Sequence, residues 1–395
     1  MAGPSRQPLQ EALDRRRADG LYRRRRQLAS PQGARVVLDG REYINFSSND
    51  YLGLAAHPDV VAALSRGAAE RGVGAGSAHL LGGHADNHQA LEAELAEFTG
   101  RERALLFSTG YMANLGTIDA LVGRRQTVWS DRLNHASLLD AVRLSGARLR
   151  RYAHGDVAAL GAGLARHGGE LVCSDGVFSM DGDVAPLGGL AEAATAAGAW
   201  LLVDDAHGLG VIGPGGRGSV AAAGLGSAEV PLLVGTLGKA FGTFGAFVAG
   251  DEVVIETLIN SARTYIYTTA LPPALAEATR ASLHLIRGEE GEVRRLRLQQ
   301  RVARFRAGAE AAGLPLLPSE TAIQPVLAGR AEDANSWSAG LEAHGFWVGA
   351  VRPPTVPEGQ ARLRVSLSAE HTDADVDGLI EALRCSRPTE VEDGR

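Results

Sequence analysis

From about residue 87 to residue 235 the chain alternates short apolar runs with helical patterns, and that alternation restricts its fold more than any other feature. Arg103–Phe107, Thr127–Ser130, Gly169–Ser174, Trp200–Asp204 and Pro231–Gly235 read as strands. Around them His88–Phe98, Met112–Leu121, Ala136–Leu144 and Ala191–Ala197 repeat at helical spacing, with Gly100 and Gly146 closing two of these helices. Short apolar strands alternating with helices predict a mostly parallel sheet covered on both faces. Ligands on such α/β sheets bind at the carboxyl ends of the strands. Ser174 to Ser179, Asp204 and Gly235 to Lys239 fall at such ends.

The flanks read differently. Residues 1–30 predict a helix rich in Arg and Glu, and Val36–Phe46 a hairpin that turns at Asp39-Gly40. Residues 59–71 predict a helix ending at Gly72. Pro272-Pro273 opens a long helical region that runs to about residue 312. Leu314–Leu317, Ile323–Leu327, Trp347–Val351 and Leu363–Leu367 then read as strands, with helices at 332–344 and 373–384. The expected organisation is an N-terminal helix-and-hairpin arm (1–55), a large α/β domain (56–285) and a small C-terminal α+β domain (286–395).

Composition removes several classes of function. A net charge of -6 carries no polyanion signature, so nucleic acid is not an expected partner. No apolar run reaches the length of a membrane span. Glu11, Asp14 and Asp19 interrupt the Arg-rich start and argue against a transit peptide. Cys173 and Cys385, the only cysteines, make a disulfide framework improbable and fit a reducing cytoplasm.

The chemistry concentrates in two stretches. Val234-Gly235-Thr236-Leu237-Gly238-Lys239-Ala240-Phe241-Gly242 holds a lone lysine among small residues. Upstream, Leu201-Leu202-Val203-Asp204-Asp205-Ala206-His207-Gly208 ends an apolar strand in Asp-x-x-His. The pair suggests a Schiff-base lysine for pyridoxal phosphate, with Asp204 holding the protonated pyridine nitrogen and His207 reaching the phenolic oxygen. The ordinary alternative for Asp204 is a buried carboxylate paired with a helix N-terminus. Asp205 is expected to be structural. A P-loop fails, because Leu233 takes the first glycine position and Ala240 the Ser/Thr position.

Weaker motifs surround these. Ser108-Thr109-Gly110-Tyr111 opens a helix where backbone N–H groups suit a phosphate, or is simply an N-cap. His135 stands before a helix, to stack on a flat ring or merely to cap. Ser179, in a polar loop after a strand, is a donor to a cofactor oxygen or a turn residue. Arg352, braced by Pro353 and Pro354, suits a carboxylate or is a surface arginine. His79, His84 and His88 raise a metal question. The glycines around them predict a loop in place of a rigid ligand-bearing helix, and no metal is expected.

Taken together these stretches resemble the α-oxoamine synthases, fold-type I pyridoxal-phosphate transferases. The resemblance is carried by Asn45-Phe46-Ser47-Ser48-Asn49-Asp50-Tyr51-Leu52-Gly53-Leu54, by the Asp204 and Lys239 blocks, and by Ile266-Tyr267-Thr268-Thr269-Ala270-Leu271-Pro272-Pro273. It spans about residues 10–385. Ser77-Ala78-His79-Leu80-Leu81-Gly82-Gly83-His84 departs from the glycine- and serine-rich family pattern. Ala322-Ile323-Gln324-Pro325, Val351–Pro357 and Ala361-Arg362-Leu363-Arg364 favour the member that joins L-alanine to a pimeloyl thioester on the way to biotin.

The resemblance implies roles residue by residue. Lys239 holds the cofactor aldehyde and then acts as base, Asp204 binds the pyridine nitrogen, and His135 stacks on the ring. Ser179 and His207 address the ring's polar substituents, and Thr236 with the amides of Gly110 and Tyr111 the phosphate. Arg352 binds the alanine carboxylate with Thr355 close by, Arg23 in the basic run Arg23–Arg26 the acyl substrate, and Asn49 joins the substrate side. It also implies a homodimer with the active site at the interface, where the Thr268–Thr269 stretch of one chain serves the other, and coenzyme A or an acyl carrier protein as acyl carrier. The competing readings are a sibling enzyme, such as a glycine acetyltransferase, and a non-catalytic subunit of the same fold.

Overall fold

The computed structural model describes residues 6–388, which fall into two compact units. One gathers Met1–Ser48, Met180–Gly182 and Leu298–Arg395; the other gathers Asn49–Ser179 and Asp183–Arg297. In the first unit α1 spans Gln7–Ala18 and buries no residue. This is shorter than the helix expected over 1–30, of which residues 1–5 lie outside the described residues. The helix stops because Gly20 takes a left-handed conformation, φ +65°. Beyond it β1 (Arg35–Leu38) and β2 (Arg41–Asn45) form the expected hairpin. Asp39 (φ 49°) and Gly40 (φ 81°) supply the two left-handed residues of a tight turn.

The second unit begins with α2 (Pro58–Arg71) and α3 (Asp86–Thr99). Strands and helices then alternate: β3 (Arg103–Phe107), α4 (Gly110–Leu121), β4 (Thr127–Asp131), α5 (Ala136–Ser145), β5 (Arg148–Tyr152), α6 (Val157–His167), β6 (Leu171–Asp175), α7 (Leu187–Ala196), β7 (Trp200–Asp204), α8 (Gly218–Ala222) and β8 (Leu232–Thr236). After β9 (Ala246–Gly250) come α9 (Glu252–Ser261), α10 (Arg263–Ile266) and α11 (Pro273–Arg287). The seven strands form one sheet in the order β3-β9-β8-β7-β6-β4-β5, in which β9 alone runs against its neighbours.

The central strands are buried on both faces, which is why they read as short apolar runs. Leu202, Val128, Leu171 and Val234 point into one core with Ile118 of α4, Val142 of α5 and Leu258 of α9. Their neighbours Leu201, Val203, Val172 and Leu233 point into the other with Leu160 of α6 and Leu190 of α7. The period-two alternation of a strand divides the side chains between the two cores.

The helical region expected from 272 to 312 is two helices, α11 and α12 (Glu289–Ala311), broken at Gly288. The first unit then adds β10 (Ile323–Gly329), α13 (Ala331–Ala343), β11 (Phe346–Trp347), β12 (Gly349–Val351), β13 (Ala361–Ser366) and α14 (Asp373–Ser386). The single strand expected at Trp347–Val351 is divided. β11 pairs in parallel with β2, whereas β12 pairs with β13, so the chain changes sheet at buried Val348. Leu314–Leu317 makes only an isolated bridge from Leu316 to Val326, since Pro315 and Pro318 lack the N–H groups a longer ladder needs. Among the described residues no helix is long and apolar enough to cross a membrane.

Candidate active site

In the second unit the carboxyl ends of β6, β7 and β8 deliver three polar groups to one cavity of about 200 Å³. Asp175 and Asp204 end adjacent parallel strands in register, and Lys239 follows β8 in a turn closed by Gly242 N–H to Lys239 O at 2.8 Å. The cavity is further lined by Gly110 and Tyr111 from the start of α4, His135 and Ser137 from the start of α5, Val177 and Ser179 after β6, Ala206 and His207 after β7, and Thr236. These elements bring together every residue assigned to the cofactor from the sequence. Lys239 Nζ lies 2.7 Å from His207 Nε2, and His207 Nδ1 lies 2.6 Å from the Tyr51 hydroxyl.

Asp204 is 8% exposed and is held from behind. Its Oδ1 accepts from Ala206 N–H at 3.2 Å, and its Oδ2 from the Asn114 side-chain amide at 2.7 Å. Asn114 lies one turn into α4, fully buried, and its Nδ2 also donates to Ser137 Oγ at 2.9 Å. Ser137 Oγ is in turn 2.7 Å from His135 Nδ1. One amide therefore links the support of Asp204 to the support of His135. Burial pulls the His135 imidazole below its ordinary pKa, a trend opposed by the Asp204 charge. Burial, and then the Asp204 charge beside it, push the Asp175 carboxyl well above the usual carboxylate range. Asp175 also accepts the His135 backbone N–H at 3.2 Å.

Asp175, Asn114, Ser137 and Tyr51 are absent from the residues singled out in the sequence. Asp175 had a signal, since it ends an apolar strand as Asp204 does. Tyr51 stood in a family block without a role, and the partners were not readable: Asn114 meets Asp204 across 90 positions and Tyr51 meets His207 across 156.

Around this pocket the remaining cavity residues take definite positions. Gly110 and Tyr111 are the first two residues of α4, where backbone N–H groups have no intrahelical acceptor. Thr109 caps the helix by accepting Met112 N–H at 3.2 Å. Thr236 Oγ1 donates to Gly245 O at 3.2 Å. His135 both lines the cavity and caps α5, accepting Ser137 N–H at 3.3 Å. Asp205 faces away, fully buried, and accepts both the backbone N–H and the hydroxyl of Ser219 at 2.7 Å.

Asn49 also belongs to the second unit and accepts the Tyr51 hydroxyl at 3.1 Å. Arg23, Arg352 and Thr355 belong to the first, where they form a cluster of their own. Arg23 Nη2 donates to Thr355 Oγ1 at 3.4 Å, Thr355 N–H donates to Arg352 O at 3.0 Å, and Arg352 Nη1 donates to Gly20 O. Burial, and then the Arg23 charge, lower the Arg352 pKa. Two neighbouring guanidiniums of this kind favour an anion.

His84 lies on a loop, as expected, and His88 lies on α3, while ring nitrogens of His79, His84 and His88 fall within 4.8 Å of one another. Hydrogen bonding accounts for the grouping. His88 Nδ1 accepts Ala85 N–H at 3.0 Å and its Nε2 donates to Leu271 O at 2.7 Å. His84 Nε2 faces Gln89 Oε1 at 3.3 Å, and His79 and His84 share a 2.9 Å contact between their Nδ1 atoms.

Comparison with known proteins bears on this geometry. The family model of aminotransferase class I and II matches residues 41–383. The 8-amino-7-oxononanoate synthase of Thioalkalivibrio sulfidiphilus is 60% identical over 378 residues, 95% of this chain and 96% of the relative. Among solved structures, a serine palmitoyltransferase from S. paucimobilis with a bound PLP–myriocin aldimine is similar at a TM-score of 0.90 and 31% identity, covering 96% of this chain and 97% of that one. The 8-amino-7-oxononanoate synthase from Francisella tularensis gives a TM-score of 0.77 at 33% identity, covering 87% and 97%.

Proposed function

Since the chain belongs to the aminotransferase class I and II family, and within it to the 8-amino-7-oxononanoate synthases, acyltransferases of that fold, we propose that it condenses L-alanine with a pimeloyl thioester. Carbon dioxide and the free thiol leave, and 8-amino-7-oxononanoate remains for biotin synthesis. The observation that carries this reading is the single cavity in which Lys239, Asp204, His135 and His207 meet.

We assign pyridoxal 5'-phosphate to that cavity. The donor set fits such a molecule: an amine for an aldehyde, a buried carboxylate with acceptor capacity for a protonated ring nitrogen, and the start of α4 for a phosphate. When bound, the cofactor supplies an electron sink for the pair left on the alanine α-carbon. Asp204, fixed by Asn114 and Ala206, would keep the ring nitrogen protonated. His135 would lie against the ring, Ser179 and His207 would address its oxygen, and Thr236 with the Gly110 and Tyr111 amides would address the phosphate. Lys239 would hold the aldehyde carbon until the alanine amine displaces it, and its freed Nζ would then take the α-proton and return a proton at the end.

Arg352, with Thr355 beside it, takes the alanine carboxylate; Arg23 takes the acyl substrate, and Asn49 completes the substrate side. The acyl carrier is coenzyme A or an acyl carrier protein. We further propose a homodimer. Val73, Leu80, Leu81 and Tyr267 are between 51% and 84% exposed. Their two segments are joined by Ala270 N–H to Ser77 O at 3.0 Å, next to Thr268 and Thr269. Exposed apolar side chains on two joined segments suit a second copy. Both cysteines are free thiols, which suits the cytoplasm.

A paired-substrate assay tests the reading. Alanine, glycine and serine would each be offered with pimeloyl, acetyl, succinyl and palmitoyl thioesters, on coenzyme A and on carrier protein. The expected result is fastest turnover with alanine and the pimeloyl group. Turnover confined to glycine with a short acyl group, or to serine with palmitoyl, would assign the chain to a sibling activity.

A further inference from the structure

We infer that Tyr51 is a positioning residue that holds His207 to a single tautomer, and so fixes whether His207 presents a donor or an acceptor to the cavity. The inference rests on the proposed reading only in giving that donor a cofactor to meet. The contacts themselves are independent of it. Tyr51 is 1% exposed, and its hydroxyl lies 2.6 Å from His207 Nδ1, on the side of the ring opposite Lys239.

The segment that carries Tyr51 is firmly held. Asp50 accepts the backbone N–H groups of Leu54 at 2.9 Å and Ala55 at 3.1 Å. Arg294 donates to Leu52 O at 2.8 Å. Gly242, at the end of the lysine turn, packs so closely that a Cβ there would lie 2.4 Å from Ala55 N. The hydroxyl is thus fixed relative to both His207 and Lys239.

A neutral imidazole has one N–H and one lone pair, and a tyrosine has one proton to give. Two arrangements satisfy these contacts of the His207 ring. In one, Tyr51 O–H turns from Asn49 Oδ1 to donate to Nδ1, which leaves Nε2–H as a donor toward the cavity and toward a neutral Lys239 amine. In the other, a charged Lys239 donates to Nε2, Nδ1–H donates to the Tyr51 oxygen, and Tyr51 O–H turns to Asn49 Oδ1, 3.1 Å away. Tyr51 holds the first tautomer by giving its proton and the second by accepting one, so the ring keeps a single tautomer for each charge of Lys239. Phenylalanine would do neither.

The test is Tyr51→Phe, which keeps the buried ring. Nitrogen-15 NMR of the histidine-labelled, cofactor-free protein reads the His207 tautomer, with His207→Gln to assign the signals. The expected result is a defined tautomer in the parent, which becomes mixed in Tyr51→Phe. In the cofactor-loaded enzyme the pH midpoint of the visible absorption should rise by about one unit, because a weaker donor leaves the cofactor's phenolic oxygen more basic. The kcat should fall about tenfold with KM little changed, the loss of one hydrogen bond. His207 signals identical in the two proteins would overturn the inference, as would a change in KM alone. Failure of the parent to take up pyridoxal phosphate would instead remove the proposed cofactor, while the tautomer comparison would still decide the role of Tyr51.

Discussion

Asn114 shows how much of the site is set by residues that touch no reacting atom. Its amide gives one N–H to Asp204 and one to Ser137, both buried. Asn114→Ala leaves a buried carboxylate short of a donor, at a cost of about 2 kcal/mol, and removes the donor that orients the Ser137 hydroxyl beside His135. We expect kcat to fall ten- to a hundredfold, measured beside the loss of stability in urea. His154 makes a second residue-scale prediction. It lies 3.1 Å from Asp131 Oδ1 and 2.9 Å from Asp183 Oδ2, and those hydrogen bonds, Asp131 first, raise its pKa to about 10. A histidine raised on folding stabilises the protein fully below its unfolded pKa, and that stability is lost as pH climbs toward the folded value. With its side chain 31% exposed, screening reduces the effect to about 2 kcal/mol. Unfolding free energy should fall by that amount between pH 6 and pH 10 in the parent, and the fall should be absent in His154→Gln.

At the scale of elements, legibility followed burial. β6, β7 and β8 were readable because both faces are covered and each opens on a run of three or four apolar residues. β5, Arg148–Tyr152, is an edge strand carrying three arginines, and it offers no apolar run to read. The carboxyl ends of readable strands gave Asp204 and, through β8, Lys239, whereas the residues behind them depend on pairings between distant parts of the chain. Helix packing adds constraints invisible to periodicity. Gly163 on α6 faces Trp129 of β4 so closely that a Cβ would lie 2.2 Å from the indole. Gly163→Ala forces that buried ring to move, and should destabilise the protein by about 1–3 kcal/mol in urea denaturation, with little change in KM.

For the molecule as a whole, sequence adjacency misleads about which parts belong together. The N-terminal hairpin clusters with the C-terminal residues because β2 pairs in parallel with β11, some 300 positions later. That pairing was not readable in the sequence, since β11 is only two residues long. The alternating strands of the second unit carry the cavity, and the chemistry proposed for it separates this chain from an enzyme that merely transfers an amino group. Carboxyl-labelled L-alanine, offered with a pimeloyl thioester to the pyridoxal-phosphate-loaded enzyme, makes the distinction. The account predicts labelled carbon dioxide and 8-amino-7-oxononanoate in equal amounts. Pyruvate that keeps the label, with no carbon dioxide released, would contradict it.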